Sequence, residues 1–138
     1  MSHGAGALVA GLIAVGLLGC GARYPDLLVV QRSGSIPGAA LTLLINDGGT
    51  VRCNGRRERR LGDPNLLLAR DIVRGLERDA RQGRRLPPGP GSILRYRMRM
   101  EEGTVEFSDT SAGAHGGAFA QAQLFTRRVA QQVCGLPR

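Results

Sequence analysis

Three cysteines, two histidines and nineteen basic side chains carry most of the reactive and charged chemistry in this 138-residue chain. The cysteines are Cys20, Cys53 and Cys134. They are spaced too widely for a C-x-x-C unit, the arrangement that brings two sulfurs to one zinc ion or one dithiol redox turn. The chemistry left to them is acylation, a disulfide, or burial as inert thiols. His3 stands near the amino terminus, and His115 sits in Ala114-His115-Gly116-Gly117 ahead of a predicted helix. A single imidazole with no nucleophile or acid at a fixed spacing reads as a solvated loop residue rather than a general base. The chain contains no G-x-S-x-G, H-E-x-x-H, P-loop or dinucleotide fingerprint. Glu101, Glu102, Glu106 and Asp109 gather at one predicted hairpin, where they keep the turn soluble and pair with arginines of the neighbouring strand. The expectation is no enzyme, no catalytic residue, no metal site and no cofactor.

All nineteen basic side chains are arginine, against eleven acids, which leaves a formal net charge of +8. Arg56, Arg57, Arg59 and Arg60 form the densest run, and Arg84-Arg85 and Arg127-Arg128 add doublets. Guanidinium groups grip carboxylates and phosphates with planar paired hydrogen bonds. One expectation is therefore binding of anionic envelope polymers or lipid head groups through Arg56–Arg60. The other is a solvated basic surface in an arginine-biased composition. Nucleic acid is not expected, because single-strand readers stack bases on exposed aromatics. Here aromatics are only 4% of the chain, with no Trp. Tyr96, Phe107, Phe119 and Phe125 fall on apolar stripes, and Tyr24 precedes the first strand.

These groups are positioned by elements legible in the pattern of the chain. A β-rich run at Leu27–Arg32 ends in the turn cluster Ser33–Gly38, and a second strand follows at Ala39–Asn46. Asp47-Gly48-Gly49 turns the chain into Thr50–Asn54. A three-residue loop sets Ile45 opposite Val51 and Leu43 opposite Cys53, which puts Leu41, Leu43, Ile45, Val51 and Cys53 on one face. Asp63-Pro64 reads as a helix start with Asp63 as cap, and the helix runs to about Gln82 with Gly83 as its stop. Ala69, Ile72, Val73, Leu76 and Ala80 form its stripe. Leu86–Gly91 is a proline connector. In Ser92–Met100, Leu94, Tyr96, Met98 and Met100 take one face, and Ile93, Arg95, Arg97 and Arg99 the other. A turn at Glu102-Gly103 sets Met100 opposite Val105, Met98 opposite Phe107 and Arg99 opposite Glu106. Ser108–Gly117 reads as a polar loop. A last helix spans Ala118–Val133 with the stripe Ala118, Ala122, Phe125, Val129 and Val133, closed by Cys134-Gly135-Leu136-Pro137. The order β-β-β-α-β-β-α predicts an α+β two-layer open-faced sandwich, an antiparallel sheet of four to five strands with two helices on one face.

The amino terminus reads as an address. Ala7–Gly19 is an uncharged apolar run too short for a permanent bilayer span and of the length of a signal-peptide core. Leu17-Leu18-Gly19-Cys20 resembles the lipobox of bacterial lipoproteins, with Leu18 bulkier than the residue usual there. The resemblance implies that Cys20 receives a diacylglyceryl group and becomes the new amino terminus. Residues 1–19 are then the signal, 20–26 the lipidated cysteine and tether, and 27–138 one domain on the outer face of the cell membrane. Ordinary signal-peptidase cleavage, with Cys20 a free thiol, is the alternative. If Cys20 carries lipid, Cys53 and Cys134 remain as a pair in an oxidising compartment where a disulfide persists, or else as two separate buried thiols.

Ser33–Gly38 (SGSIPG), Asp47–Gly55 (DGGTVRCNG), Leu86–Tyr96 (LPPGPGSILRY), Gly103–Asp109 (GTVEFSD) and Phe125–Arg138 (FTRRVAQQVCGLPR) resemble small uncharacterised lipoproteins of high-GC Gram-positive bacteria. The Arg32-Ser33-Gly34 turn, the Ser108-Asp109 hairpin end and the closing helix also resemble emfourin-type inhibitors of thermolysin-like metalloproteases. The strand bearing Cys53, the cysteine pair and the lipid anchor depart from that second pattern. Together the resemblances imply an anchored binding or interaction module with a protein partner such as a protease. Ser33–Gly38 is the loop that would meet it.

Overall fold

The computed structural model of the protein describes residues 1 and 25–136; the apolar run and Cys20 lie outside the described residues. The domain is α+β, an open antiparallel sheet covered on one face by helices. Its strands are β1 (Asp26–Gly34), β2 (Leu41–Asn46), β3 (Thr50–Cys53), β4 (Arg59–Arg60), β5 (Leu94–Met100) and β6 (Gly103–Ser108). They pair in the order β4-β3-β2-β1-β5-β6. The helices are α1 (Asp63–Arg81), α2 (Asp109–His115) and α3 (Gly117–Arg128), the last continued by a π-helical turn at Val129–Val133.

Alternation decides which face is covered, because successive strand residues point to opposite sides. Leu28, Val30, Leu41, Leu43, Ile45, Val51, Cys53, Tyr96, Met98, Met100, Val105 and Phe107 are all buried on one side. Against them pack Ile72, Leu76 and Ala80 of α1, Ala112 of α2, and Phe119, Ala122 and Phe125 of α3. Phe107 ties the layers together. Its ring stacks on Tyr96 with centroids 5.0 Å apart and meets Phe119 edge-on at 5.3 Å.

The β2–β3 register is as the sequence predicts, with Leu43 opposite Cys53 and Ile45 opposite Val51. Gly49 closes that turn at φ +89°, a conformation that favours glycine. The β5–β6 register differs from the expectation by two residues. Met98 faces Val105, Tyr96 faces Phe107, and Arg97, not Arg99, faces Glu106. A slip of two keeps every side chain on its own face, so apolar patterning does not distinguish the two alignments. The turn is Glu101-Glu102, and Gly103 stands in β6 opposite Met100. A Cβ on Gly103 would lie 2.2 Å from the carbonyl oxygen of Ala80. This glycine therefore serves the seating of α1 on the strand rather than the turn.

Four further features differ from the expectation. The sheet has six strands, because Arg59 and Arg60 pair with Val51 and Thr50 at its edge. Ser108–Gly117 is not a loop: Asp109–His115 is helical, capped by reciprocal hydrogen bonds between Ser108 and Ser111. That makes three α-helices among the described residues rather than two. The cap of α1 is Gly62, with Asp63 inside the first turn next to the helix dipole's positive end. The buried side of the last helix takes in Thr126 and Ala130 beside the expected Phe119, while Ala118 and Val133 are only partly buried.

Gly103→Ala should lower unfolding stability by about 2–4 kcal/mol, through the clash with Ala80 and the unfavourable φ of +146°. A urea unfolding curve with the midpoint of the unsubstituted protein would contradict this account of Gly103.

Candidate functional site

Cys53 ends β3 on the buried face, and Cys134 follows the π-helical turn. The turn closes with the Cys134 N–H donating to the Val129 carbonyl at 3.0 Å, a five-residue step that widens the last turn and sets where Cys134 falls. The two sulfurs stand at disulfide distance, 1.93 Å apart, with Cα atoms separated by 6.0 Å. Gly135 at φ +67° and the Leu136 N–H bond to the Ala130 carbonyl then end the helix.

The arginines predicted as one basic loop serve several purposes. Arg59 in β4 donates from Nη1 to the Val133 carbonyl at 3.0 Å, placing a cation on the carboxyl end of the last helix beside Cys134. Glu58 pairs with Arg52 across the turn at 3.0 Å. Arg56, Arg57 and Arg60 are exposed, and their side chains make no hydrogen bond or ion pair among the described residues.

The sheet's open face brings a second set of guanidinium groups together. Arg95, Arg97 and Arg99 project from β5 beside Gln31 and Ser33 of β1. The proline connector runs along the outer edge of β6. The Glu106 N–H donates to the Arg84 carbonyl at 3.0 Å, and the Leu86 N–H donates to the Glu106 carbonyl at 2.8 Å. That edge is thereby covered. Between the connector and β1 lies a trough of about 590 Å³, walled by Leu86, Pro87 and Pro88 and floored by Arg95 and Arg97. Glu106 is the acid in its lining, and it is shared loosely by Arg85 at 3.5 Å and Arg97 at 3.7 Å. Arg95 and Arg99 have no acidic partner among the described residues. The sequence shows the alternation that puts these arginines on one face. It carries no signal that Arg85 and the prolines wall the same trough, which follows from the connector pairing with β6.

The Ser33–Gly38 loop lies at the end of the sheet opposite the start of β1 and is held from two sides. Arg32 donates to the carbonyls of Ala39 at 2.9 Å and Gly38 at 3.0 Å, and the Ser35 N–H donates to the Ile93 carbonyl at 3.1 Å. Asp109 fixes the neighbouring start of β5. Its carboxylate accepts from the Ser92 hydroxyl at 2.8 Å, the Ile93 N–H at 3.2 Å and the Thr110 N–H at 3.0 Å. Burial pushes the Asp109 carboxyl up, but these hydrogen bonds outweigh it and hold the group below its ordinary value. His115 is exposed at the end of α2, edge-on to Phe119 at 5.0 Å. Among the described residues no three His, Cys, Asp or Glu side chains converge as a metal site would require.

No protein-family model matches the chain, and no curated protein or solved structure matches it either.

Opening the Cys53–Cys134 link with reductant should cost about 4–5 kcal/mol on the chain-entropy model, because 81 positions separate the two residues. Urea midpoints with and without reductant measure it. Asp109→Asn should cost about 1–2 kcal/mol at neutral pH. A carboxyl held low in the folded state contributes fully above the ordinary carboxylate value near 3.9, and the contribution is lost as pH falls through the lower folded value. The gap between variant and parent should therefore close in acid; a gap that stayed constant from pH 7 to about pH 2 would contradict this role for the ionised form.

Proposed function

We propose that the chain is an exported, acyl-anchored binding module whose open sheet face engages an anionic partner outside the cell. Three arginines in one row of β5, two of them with no acidic partner among the described residues, are the observation that carries this reading. Unpaired guanidinium groups on a rigid sheet meet an incoming carboxylate or phosphate without first breaking an internal ion pair. The apolar wall at Leu86–Pro88 lowers the local dielectric on one side of the trough and strengthens that attraction.

Two features support the anchor. The lipobox-like Leu17–Cys20 leaves one cysteine for lipid, and the other two stand at disulfide distance, the arrangement that persists in an oxidising compartment. Among the described residues no helix is long and apolar enough to cross a membrane. Attachment through Cys20 then rests on its acyl chains, two of which hold where one alone does not. With the tether entering at Pro25, the nine residues of β1 carry the Ser33–Gly38 end roughly 30 Å away from the anchored end.

Intact-mass measurement of the membrane fraction should show a chain starting at Cys20 with a diacylglyceryl adduct, and Cys20→Ala should release it. Binding to polyglutamate should weaken as salt rises, because exposed charges are screened within about 10 Å at 0.1 M. It should fall on the order of tenfold in the triple variant Arg95→Gln/Arg97→Gln/Arg99→Gln. A loss seen instead with Arg56→Gln/Arg57→Gln, with the triple variant unaffected, would place the anionic site on the β3–β4 turn and overturn the open-face assignment.

A further inference from the structure

On the opposite side of the sheet from the trough, a cavity of about 420 Å³ opens between the β1–β2 loop and α3. Its lining has two chemical halves. Arg32, Arg127 and Tyr96 stand on one, with the side-chain amides of Gln123 and Gln131 also in the wall. Ile36, Leu94 and Leu124 make up the other. Among the described residues no acid lines it. Ile36 and Leu124 are 39% and 54% exposed, two of the four exposed large aliphatic side chains of residues 25–136, the others being Leu67 and Ile93. The volume falls within the range of sites that enclose small ligands.

From these features we infer a binding site for a small amphiphilic monoanion, a carboxylate carrying an aliphatic body. Arg32 is prepared for this. Its Nε and Nη2 are held by the Ala39 and Gly38 carbonyls and its guanidinium also hydrogen-bonds the Tyr96 phenol, so the charge is fixed in place at the cavity wall. Arg127 has no hydrogen bond or ion pair among the described residues, which leaves its whole fork for one planar carboxylate. One free fork and one partly engaged guanidinium suit a single negative charge better than a phosphate dianion. The Tyr96 phenol supplies a donor. Burial raises its pKa, with Arg32 and Arg127 acting against that rise, so it stays protonated at neutral pH. The aliphatic body lies against Ile36, Leu94 and Leu124, and removing it from water adds about 0.8 kcal/mol per buried methylene. Such a carboxylate reaches the site either as a free aliphatic acid or as the terminus of a peptide ending in an aliphatic residue.

Calorimetric titration of the folded, oxidised protein with octanoate and with N-acetyl-leucine separates these sources. At least one should bind one-to-one with a Kd below about 1 mM, and the tighter of the two identifies the source. Arg127→Gln and Leu124→Ala, both at exposed positions, should each weaken that binding by about tenfold, while Arg78→Gln on the exposed side of α1 leaves it unchanged. Acetate, inorganic phosphate and octanol should bind at least about tenfold more weakly. Absence of saturable binding by both carboxylates would overturn the site. So would an unchanged Kd in Arg127→Gln, and phosphate binding as tightly as octanoate would overturn the amphiphilic assignment.

Discussion

A strand sends alternate side chains to opposite sides, and in this chain the buried apolar members of the five longer strands all fall on the same side, while Val29 and Leu44 pair half-buried on the other. Everything else follows from that one-sided burial. Three helices must lie on the apolar face to keep water from it, and the other face must remain polar. The aromatic contacts Tyr96–Phe107–Phe119 run through the covered layer from strand to helix. Where two elements come close, a side chain would intervene, so Gly103 of β6 faces the Ala80 carbonyl of α1, and Gly75 of α1 faces Ala118 of α3.

The weak point of such a sandwich is its edge. At one edge the proline connector hydrogen-bonds along β6, and at the other a two-residue β4 leaves little template for further pairing. The last helix ends over this second edge, and three devices meet there. The π-helical turn widens its final turn, Arg59 caps its carbonyl end, and Cys134 stands at disulfide distance from Cys53. Charge elsewhere is mostly local. Arg74 pairs with Asp71 and Arg81 with Glu77 along one face of α1, solvated contacts of small energetic weight. Among the described residues, the guanidinium groups that lack such partners include Arg95 and Arg99 on the open face, Arg56, Arg57 and Arg60 around the β3–β4 turn, Arg78 on α1, and Arg127 and Arg128 at the end of α3.

Legibility followed periodicity. Helix α1 was readable because its apolar residues repeat at helical spacing over nineteen residues. The β2–β3 register was readable because a shift by one residue would have moved Val51 and Cys53 to the wet side. The β5–β6 register was not, because a shift by two moves nothing between faces. Helix α2 escaped notice for a related reason: in seven residues it buries only Ala112, so there is no stripe to see, although Ser108 and Ser111 spell its cap. Strand β4 is two arginines with no apolar member, held by backbone pairing to β3 and by the Arg59 side chain on the Val133 carbonyl, neither of which leaves a period in the sequence.

The amino-acid sequence by itself determined which strand side chains face the core and, to within a residue, where the long helix begins and ends. These depend on local period and on the exclusion of apolar surface from water, which act along the chain. Only the tertiary structure decided which charged groups share space. Arg59 reaches a carbonyl 74 positions away, and Arg32 and Arg127 come to line one cavity from β1 and α3. A solvated guanidinium has no periodic constraint to record its neighbours in sequence, so its partners are settled only when the layers have packed.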